Sequence, residues 1–258
     1  MNKILRFKAI FFDAGGTLVE PYLSVGEIYS EVAGKYGCKI SSKEVEQKFR
    51  EEWEKKDHLT TFRATEGGAG FAGLNHGVNE RGWDHHKEGE HHPQEREWWY
   101  KLVWDVFETF GGIKKFDVFF DELHDLFARP QVWRVFPEVE GVLKKLKDHG
   151  FFLGIVSNWD ERLIPLCERL GFGKIFDFIL ASGLVGSSKP HAGIFKEALR
   201  RSGVEPHEAL HVGDSIKDDV QGPTRLGIRA VLLDRTGQRK FPIPTVNSLS
   251  ELIPLVLG

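Results

Sequence analysis

The sequence AIFFDAGGT, residues 9–17, contains the pattern that decides the fold. Four apolar residues, Ala9–Phe12, are followed at once by Asp13 and soon after by the glycine pair Gly15 and Gly16. A continuous apolar run of this length is typical of a β-strand that is buried on both faces of a parallel sheet. The stretch therefore predicts a buried strand that ends in an acidic side chain and a tight turn.

The second half of the chain contains further short apolar runs of this kind. Short apolar runs predict strands over residues 152–156, 178–181, 210–212 and 229–233. Apolar residues at spacings of three and four predict helices between them, over residues 137–149, 163–170 and 192–202. Strands and helices in alternation predict an α/β fold, with a doubly wound, Rossmann-like parallel sheet as its core.

The intervening residues, 21–133, contain helical patterns and no convincing strand. Apolar stripes mark four helices, near residues 25–36, 45–53, 98–110 and 116–127. Each stripe must face a partner, so we expect an all-α helical bundle, inserted after the first strand as a cap over its end. The predicted domains are a core of residues 1–20 and 134–258 and a cap of residues 21–133. Within the cap, residues 67–93 are rich in Gly and His and predict a long flexible loop.

Composition excludes several classes of partner. The formal net charge is −3 and no run of Lys or Arg stands out, so we expect no nucleic-acid and no membrane partner. The two cysteines, Cys38 and Cys167, are far apart and are expected to be free thiols in a reducing compartment. No apolar run has the length of a signal peptide core or of a membrane span. A cytoplasmic protein is the expectation.

Four polar side chains follow predicted strands: Asp13, Ser157, Lys189 and Asp214. Ligands of open α/β sheets bind at the carboxyl ends of the strands, so these residues should converge on one pocket. Their chemistry fits phosphoryl transfer, in which the carboxylate of Asp13 attacks phosphorus and forms an acyl phosphate. The charge of Lys189 and the hydroxyl of Ser157 would assist, and Asp13 and Asp214 are oxygen ligands suited to Mg²⁺.

Four stretches in this order carry a family resemblance, namely FDAGGTL (12–18), VSN (156–158), SKP (188–190) and VGDSIKDD (212–219). They resemble the four ordered motifs of the haloacid-dehalogenase-like hydrolases, and the helical insertion resembles that family's helical-bundle cap. The resemblance implies that Asp13 is the nucleophile. It also implies that the Gly15 carbonyl and Asp214 are metal ligands, with Asp219 supporting the metal. Asp218 could share this last role.

The remaining predictions concern the substrate. We expect a small phosphorylated metabolite, contacted by Gly16, Thr17 and Asn158, although Asn158 could instead hold its own turn. His211 lies within a predicted buried strand and is expected to be a core histidine.

Gly15 departs from the phosphatase pattern of the family. Phosphatases of the family usually carry a second Asp at this position, as general acid and base. Its absence implies a weak phosphatase and leaves two alternatives open. One is a 2-haloacid dehalogenase that needs no metal, against which the pair Gly213 and Asp214 argues. The other is a non-catalytic protein that binds a phosphorylated ligand, against which the retained Asp13, Lys189 and Asp214 argue.

Overall fold

The computed structural model describes residues 7–55, 93–237 and 242–258. The strands are β1 (Ala9–Phe12), β2 (Val19–Pro21), β3 (Trp133–Val135), β4 (Phe152–Ser157), β5 (Phe178–Ala181), β6 (Ala209–Gly213), β7 (Arg229–Leu233) and β8 (Thr245–Val246). The α-helices are α1 (Val25–Lys35), α2 (Ser42–Lys55), α3 (Pro93–Glu108), α4 (Phe116–Leu126), α5 (Val139–Asp148), α6 (Leu163–Arg169), α7 (Ser182–Val185), α8 (Ala192–Ser202), α9 (Gly222–Thr224) and α10 (Leu252–Leu257). A π-helix covers Ile216–Gln221, and 3₁₀ turns cover Pro130–Val132, Phe172–Lys174, Pro206–Glu208 and Leu249–Glu251.

Six strands form one parallel sheet, in the order β5-β4-β1-β6-β7-β8. The chain runs outward from β1 through β4 to β5 and then returns to the other side of β1 to form β6 and β7. The order therefore reverses at β1, which lies between β4 and β6. Helices flank the sheet, and the predicted doubly wound α/β core is confirmed.

Strand β1 is completely buried, as its continuous apolar run predicted. Ile10 and Phe12 pack into the core on one face of the sheet, and Ala9 and Phe11 pack into the core on the other face. Such a strand cannot alternate polar and apolar side chains, because both faces exclude water. Its first polar side chain, Asp13, therefore appears only where the strand ends.

The helices begin and end at recognisable signals. Before α1, the Ser24 hydroxyl accepts from the Glu27 amide, and the Glu27 carboxylate accepts from the Ser24 amide, which satisfies two free donors. Helix α5 is shorter than the predicted residues 137–149: Pro137 precedes it, and Gly150 follows at φ +81°. The positive φ of Gly150 ends the helix at low steric cost.

Helices α1 to α4 share one apolar core, which we call the helical bundle. Phe107 and Phe119 are fully buried in this core, with ring centroids 5.0 Å apart, and Tyr29 stacks on Phe107. The antiparallel pair β2 and β3 connects the helical bundle to the sheet. The sequence did not predict these short strands, because three-residue segments carry too little periodicity to detect.

The predicted domain boundaries fall inside the antiparallel pair of β2 and β3, since Pro21 ends β2 and Trp133 begins β3. The division into core and cap stays a prediction. Of the predicted loop, residues 67–92 lie outside the described residues, whereas Pro93 begins α3. No helix in the described ranges is both long and apolar enough to cross a bilayer. Cys38 and Cys167 are free thiols.

Candidate active site

A cavity of about 470 Å³ lies between the carboxyl ends of the sheet strands and the helical bundle. Its polar floor consists of five side chains from four different loops of the core: Asp13, Ser157, Lys189, Asp214 and Asp219. Its upper part is lined mainly by aromatic and aliphatic side chains of the helical bundle. The convergence predicted from the strand ends is therefore observed for Asp13, Ser157, Lys189 and Asp214, although their catalytic roles stay predictions.

Lys189 lies at the centre of the polar floor with only 2% of its surface exposed. Its ammonium group donates to Oδ1 of Asp13 and to Oδ1 of Asp219, each at 2.6 Å. The Ser157 hydroxyl donates to the same oxygen of Asp13 at 2.9 Å. Burial opposes the lysine charge, yet the two carboxylates together hold the pKa of Lys189 above its usual range. The buried lysine therefore stays protonated between two acids.

The two acids respond differently to burial. Burial raises the pKa of Asp13 above its ordinary value, and the Lys189 ammonium only partly opposes this. Burial also acts on Asp219, but the Lys189 charge and the His211 ring bring the pKa of Asp219 well below its usual range. Asp219 is thus a fixed negative charge that holds Lys189 next to Asp13.

Asn158 fixes the backbone that carries Lys189. Its Nδ2 group donates to the Lys189 carbonyl at 2.9 Å, and its Oδ1 atom accepts from the Lys189 amide at 2.7 Å. The side chain also lines the cavity. These contacts give Asn158 a structural role, but it holds the loop of Lys189, 31 residues away, and not its own turn. A contact of Asn158 with substrate stays a prediction.

Asp219 reaches the polar floor because of the π-helix Ile216–Gln221, which sequence analysis did not predict. The Ser215 hydroxyl accepts from the Asp218 amide at 3.1 Å, and the Ser215 amide donates to Asp219 Oδ2 at 3.0 Å. A Cβ atom at Gly213 would lie 2.2 Å from Cγ of Asp219, so only glycine leaves room for this carboxylate. A π-turn at this point is consistent with the enrichment of such turns at functional sites.

His211 is a fully buried side chain of β6, as predicted, but it also supports the site. Burial lowers the pKa of His211, so the ring is neutral, and its Nε2 atom lies 2.9 Å from Oδ1 of Asp219. A neutral ring that donates from Nε2 orients the carboxylate. Its Nδ1 atom has no hydrogen-bond partner among the described residues.

Oxygen atoms of Asp13, Asp214 and Asp219 lie within 4.8 Å of one another. Asp214 is the exposed member of the three. The surrounding protein still excludes enough water to raise its pKa to about 8, and the charges of Asp13 and Asp219 add to this. The raised pKa values of Asp13 and Asp214 mean that, without a cation, burial and the neighbouring carboxylates favour the protonated acids at neutral pH. A divalent cation such as Mg²⁺ would replace these protons, and the hard oxygen donors fit it.

Gly16 allows the loop after β1 to approach Asp214. It has φ +76°, and a Cβ atom there would lie 2.3 Å from Oδ2 of Asp214. Arg235 also holds this loop. Its guanidinium donates to the carbonyls of Gly16 and Thr17 at 3.1 and 2.7 Å. The sequence did not indicate Arg235, although it follows the end of β7 by two residues, because its two partners lie more than 200 residues away along the chain.

Gly15 and Thr17 differ in their access to the cavity. Gly15 lines the cavity, and a Cβ atom added there would lie 3.5 Å from the Trp159 ring, which is ordinary contact. Thr17 is fully buried and is not among the residues that line the cavity. The structure therefore does not bring Thr17 to the position of a substrate-binding residue.

A buried ion pair at the cavity edge was also missed. The Arg162 guanidinium donates from Nε and Nη2 to the Asp160 carboxylate at 2.8 and 2.5 Å, and from Nη1 to the His124 carbonyl. This group connects the loop after β4 to α4 of the helical bundle. The spacing of Asp160 and Arg162 offered a weak signal, but their link to His124, 38 residues away, left no local pattern.

A doubly wound α/β sheet with a buried acid and lysine at its carboxyl edge places the chain among proteins that bind a ligand at that edge. The family model for haloacid dehalogenase-like hydrolases matches residues 7–227. The chain therefore belongs to this family and is a hydrolase.

Relatives and solved structures agree with this assignment. The mouse protein called haloacid dehalogenase-like hydrolase domain-containing protein 3 is 32% identical, over 97% of this chain and 94% of its own length. A solved phosphatase of the family from Thermococcus onnurineus is 25% identical over 98% of both chains, with a TM-score of 0.61. A solved dehalogenase shares the fold, with a TM-score of 0.69 and 21% identity over 98% of both chains.

Proposed function

We propose that this chain is a Mg²⁺-dependent phosphatase that hydrolyses a small phosphorylated metabolite through Asp13. The observation that carries the proposal is the polar floor, in which three carboxylates and Lys189 lie within reach of one ligand. Asp13, Asp214 and the Gly15 carbonyl would hold the cation, and Asp219 would support it. When bound, Mg²⁺ would neutralise repulsion between the carboxylates and the phosphate.

Asp13 carries the covalent step in this proposal. Its Oδ1 atom accepts from Lys189 and Ser157, so we assign Oδ2 as the atom that attacks phosphorus. A bond forms between Oδ2 and phosphorus, and the bond from phosphorus to the ester oxygen of the substrate breaks. Water then attacks the aspartyl phosphate, which releases inorganic phosphate and restores the carboxylate.

Lys189 and Ser157 position the nucleophile and supply positive charge and a hydrogen bond beside the transferring group. Gly15 offers no proton to the departing oxygen. Leaving groups that depart without a proton, such as phenolates and carboxylates, should therefore react faster than alkoxides.

One assay compares this proposal with both alternatives. Phenyl phosphate and 2-chloropropionate are each incubated with the protein, in Mg²⁺ and in chelator. We expect phosphate release that requires Mg²⁺ and that falls by more than about 10³-fold in Asp13→Asn. Halide release in chelator would identify a dehalogenase. Binding of inorganic phosphate without turnover of either compound would identify a non-catalytic binding protein.

A further inference from the structure

Seven aromatic side chains that line the cavity form a continuous chain of ring contacts. We call this set the aromatic wall, and its members are Trp159, Trp133, Phe127, Tyr29, Phe49, Trp53 and Trp99. In that order, the distances between successive ring centroids are 4.9, 5.9, 5.9, 5.6, 5.8 and 5.6 Å. Aromatic rings at such distances pack favourably and present a large apolar surface.

The aromatic wall begins next to the polar floor. Trp159 lies against Gly15, two residues after Asp13, and both Trp159 and Gly15 line the cavity. The far end of the wall, at Trp53 and Trp99, belongs to α2 and α3 of the helical bundle. A ligand with its phosphate on the floor therefore has its remaining atoms beside aromatic rings.

The basic side chains above the floor are already neutralised. Among the described lining residues, these are Arg50, His124 and Arg162. Arg162 donates twice to the Asp160 carboxylate, and the His124 ring lies 4.0 Å from the same carboxylate. Arg50 donates to Glu46 at 3.0 Å, and its side chain is 73% exposed, so solvent screens its charge. Beside Arg162 and His124, a second phosphate or carboxylate on the ligand would have to displace the Asp160 carboxylate, and a charge without a partner is costly in these largely buried surroundings.

We propose that the cavity selects phosphomonoesters with one phosphate and a large, uncharged, aromatic or similarly apolar leaving part. This inference rests on the proposed function. A cavity of about 470 Å³ exceeds the needs of a phosphate and lies within the range of sites for small organic ligands. The selection follows from burial of the apolar part against the aromatic wall, which excludes water from both surfaces.

A series of 4-alkylphenyl phosphates tests this selection, because the alkyl group lengthens the apolar part and scarcely changes the acidity of the phenol. We expect kcat/KM to rise from phenyl to 4-butylphenyl phosphate by about 2-fold to 4-fold per methylene. O-Phosphotyrosine is the matched control, since it is a 4-alkylphenyl phosphate with two added charges. It should be at least about 10-fold poorer than 4-propylphenyl phosphate. Equal kcat/KM across the series and the control would overturn the inference.

Binding separates a failure of the inference from a failure of the proposed function. Benzylphosphonate and its 4-alkyl analogues cannot be hydrolysed, and their dissociation constants can be measured by calorimetry in Mg²⁺. Affinity that rises with alkyl length, without turnover of any phosphate ester, would support the apolar selection and overturn the phosphatase. Turnover of esters without any dependence on alkyl length would do the reverse.

Phe49→Ala locates the selection on the aromatic wall. Phe49 contacts Tyr29 and Trp53 in the middle of the wall and belongs to α2. We expect kcat/KM for 4-butylphenyl phosphate to fall about 10-fold, while inhibition by inorganic phosphate is unchanged. Phe110→Ala is the matched control, because Phe110 packs against the same bundle core and does not line the cavity. Equal losses in both variants would overturn the role of the wall, and the substrate series stands without either variant.

Discussion

The polar floor and the aromatic wall meet in one cavity, but they are built in different ways. The floor comes from loops at the strand ends of the core, where Lys189 connects Asp13 and Asp219 through hydrogen bonds of 2.6 Å. The wall comes mostly from the helical bundle, where ring contacts between side chains such as Phe49 and Trp53 replace directed bonds. Buried hydrogen bonds tolerate little change in geometry, whereas apolar packing accepts ligands of different shape. We infer that the floor sets the reaction and the wall sets the substrate.

The largest effect is expected from Lys189→Met, which removes the hydrogen bonds that hold the polar floor together. Without the ammonium group, the carboxylates of Asp13 and Asp219 are buried together without their counter-charge. We expect phosphatase activity to fall about 10²–10³-fold. In chelator at pH 7, the free energy of unfolding should fall by about 3–5 kcal/mol. Denaturant unfolding and steady-state kinetics measure the two effects.

Lys35→Met is the control for this charge deletion. Lys35 pairs with Glu122 at 2.6 Å, but both side chains are exposed. Exposed pairs contribute about 0–1 kcal/mol, so its stability and activity should hardly change. If Lys189→Met lost as little stability and activity as Lys35→Met, the Lys189 ion pairs would contribute no more than an exposed pair.

Phe107→Ala in the helical bundle is expected to lower stability as much as Lys189→Met but to leave activity unchanged, so its total effect is smaller. Phe107 is fully buried and does not line the cavity. The cavity left behind should lower the free energy of unfolding by about 3–5 kcal/mol. Well below the melting temperature, however, the variant should hydrolyse phenyl phosphate at the normal rate.

Val118→Ala is the control. At this side chain, which is 54% exposed, the substitution should change the free energy of unfolding by less than about 0.5 kcal/mol. Normal stability with lost turnover would contradict the separation of floor and bundle.

The smallest effect is expected from Gly15→Asp, which should raise phosphatase turnover and not lower it. A carboxyl group at this position could protonate a departing alkoxide and later activate water. General acid–base assistance is typically worth about 10²–10⁴-fold. Because the new side chain meets the Trp159 ring, we expect only about a 10-fold rise in turnover of propyl phosphate. Gly15→Ala makes the same first contact without a proton and should show no rise. An equal gain in both variants would show that backbone stiffening, and not proton transfer, is responsible.

The sequence predicted the parts of the fold that local patterns encode. The apolar run before Asp13 predicted β1 and the position of the acid at its end, and similar runs placed Ser157 and Asp214. These predictions of residue position were correct because the carboxyl ends of neighbouring parallel strands meet at one edge of the sheet. The short strands β2 and β3 were not predicted, because three residues show no reliable period.

The missed parts of the site depend on contacts between distant residues. Arg235 follows the predicted strand β7 by two residues, but the Gly16 carbonyl that it holds lies 219 residues earlier, and no local pattern indicates that contact. Asp219 was named as a site residue through the family resemblance, but neither the π-helix that carries it nor its hydrogen bond with Lys189 was predicted. Thr17 was assigned to the substrate by its neighbours in sequence, yet it is fully buried and does not line the cavity. Sequence position alone does not distinguish a side chain in the cavity from one beneath it.

The covalent state of Asp13 tests the central claim most directly. The protein is mixed with phenyl phosphate and Mg²⁺, quenched in acid, and analysed by intact-protein and peptide mass spectrometry. We predict one added phosphoryl group on Asp13, formed in an initial burst because Gly15 cannot activate water for the second step. The group should be missing in chelator and in Asp13→Asn. Normal phosphate release by Asp13→Asn, or a phosphoryl group on another residue, would contradict the account.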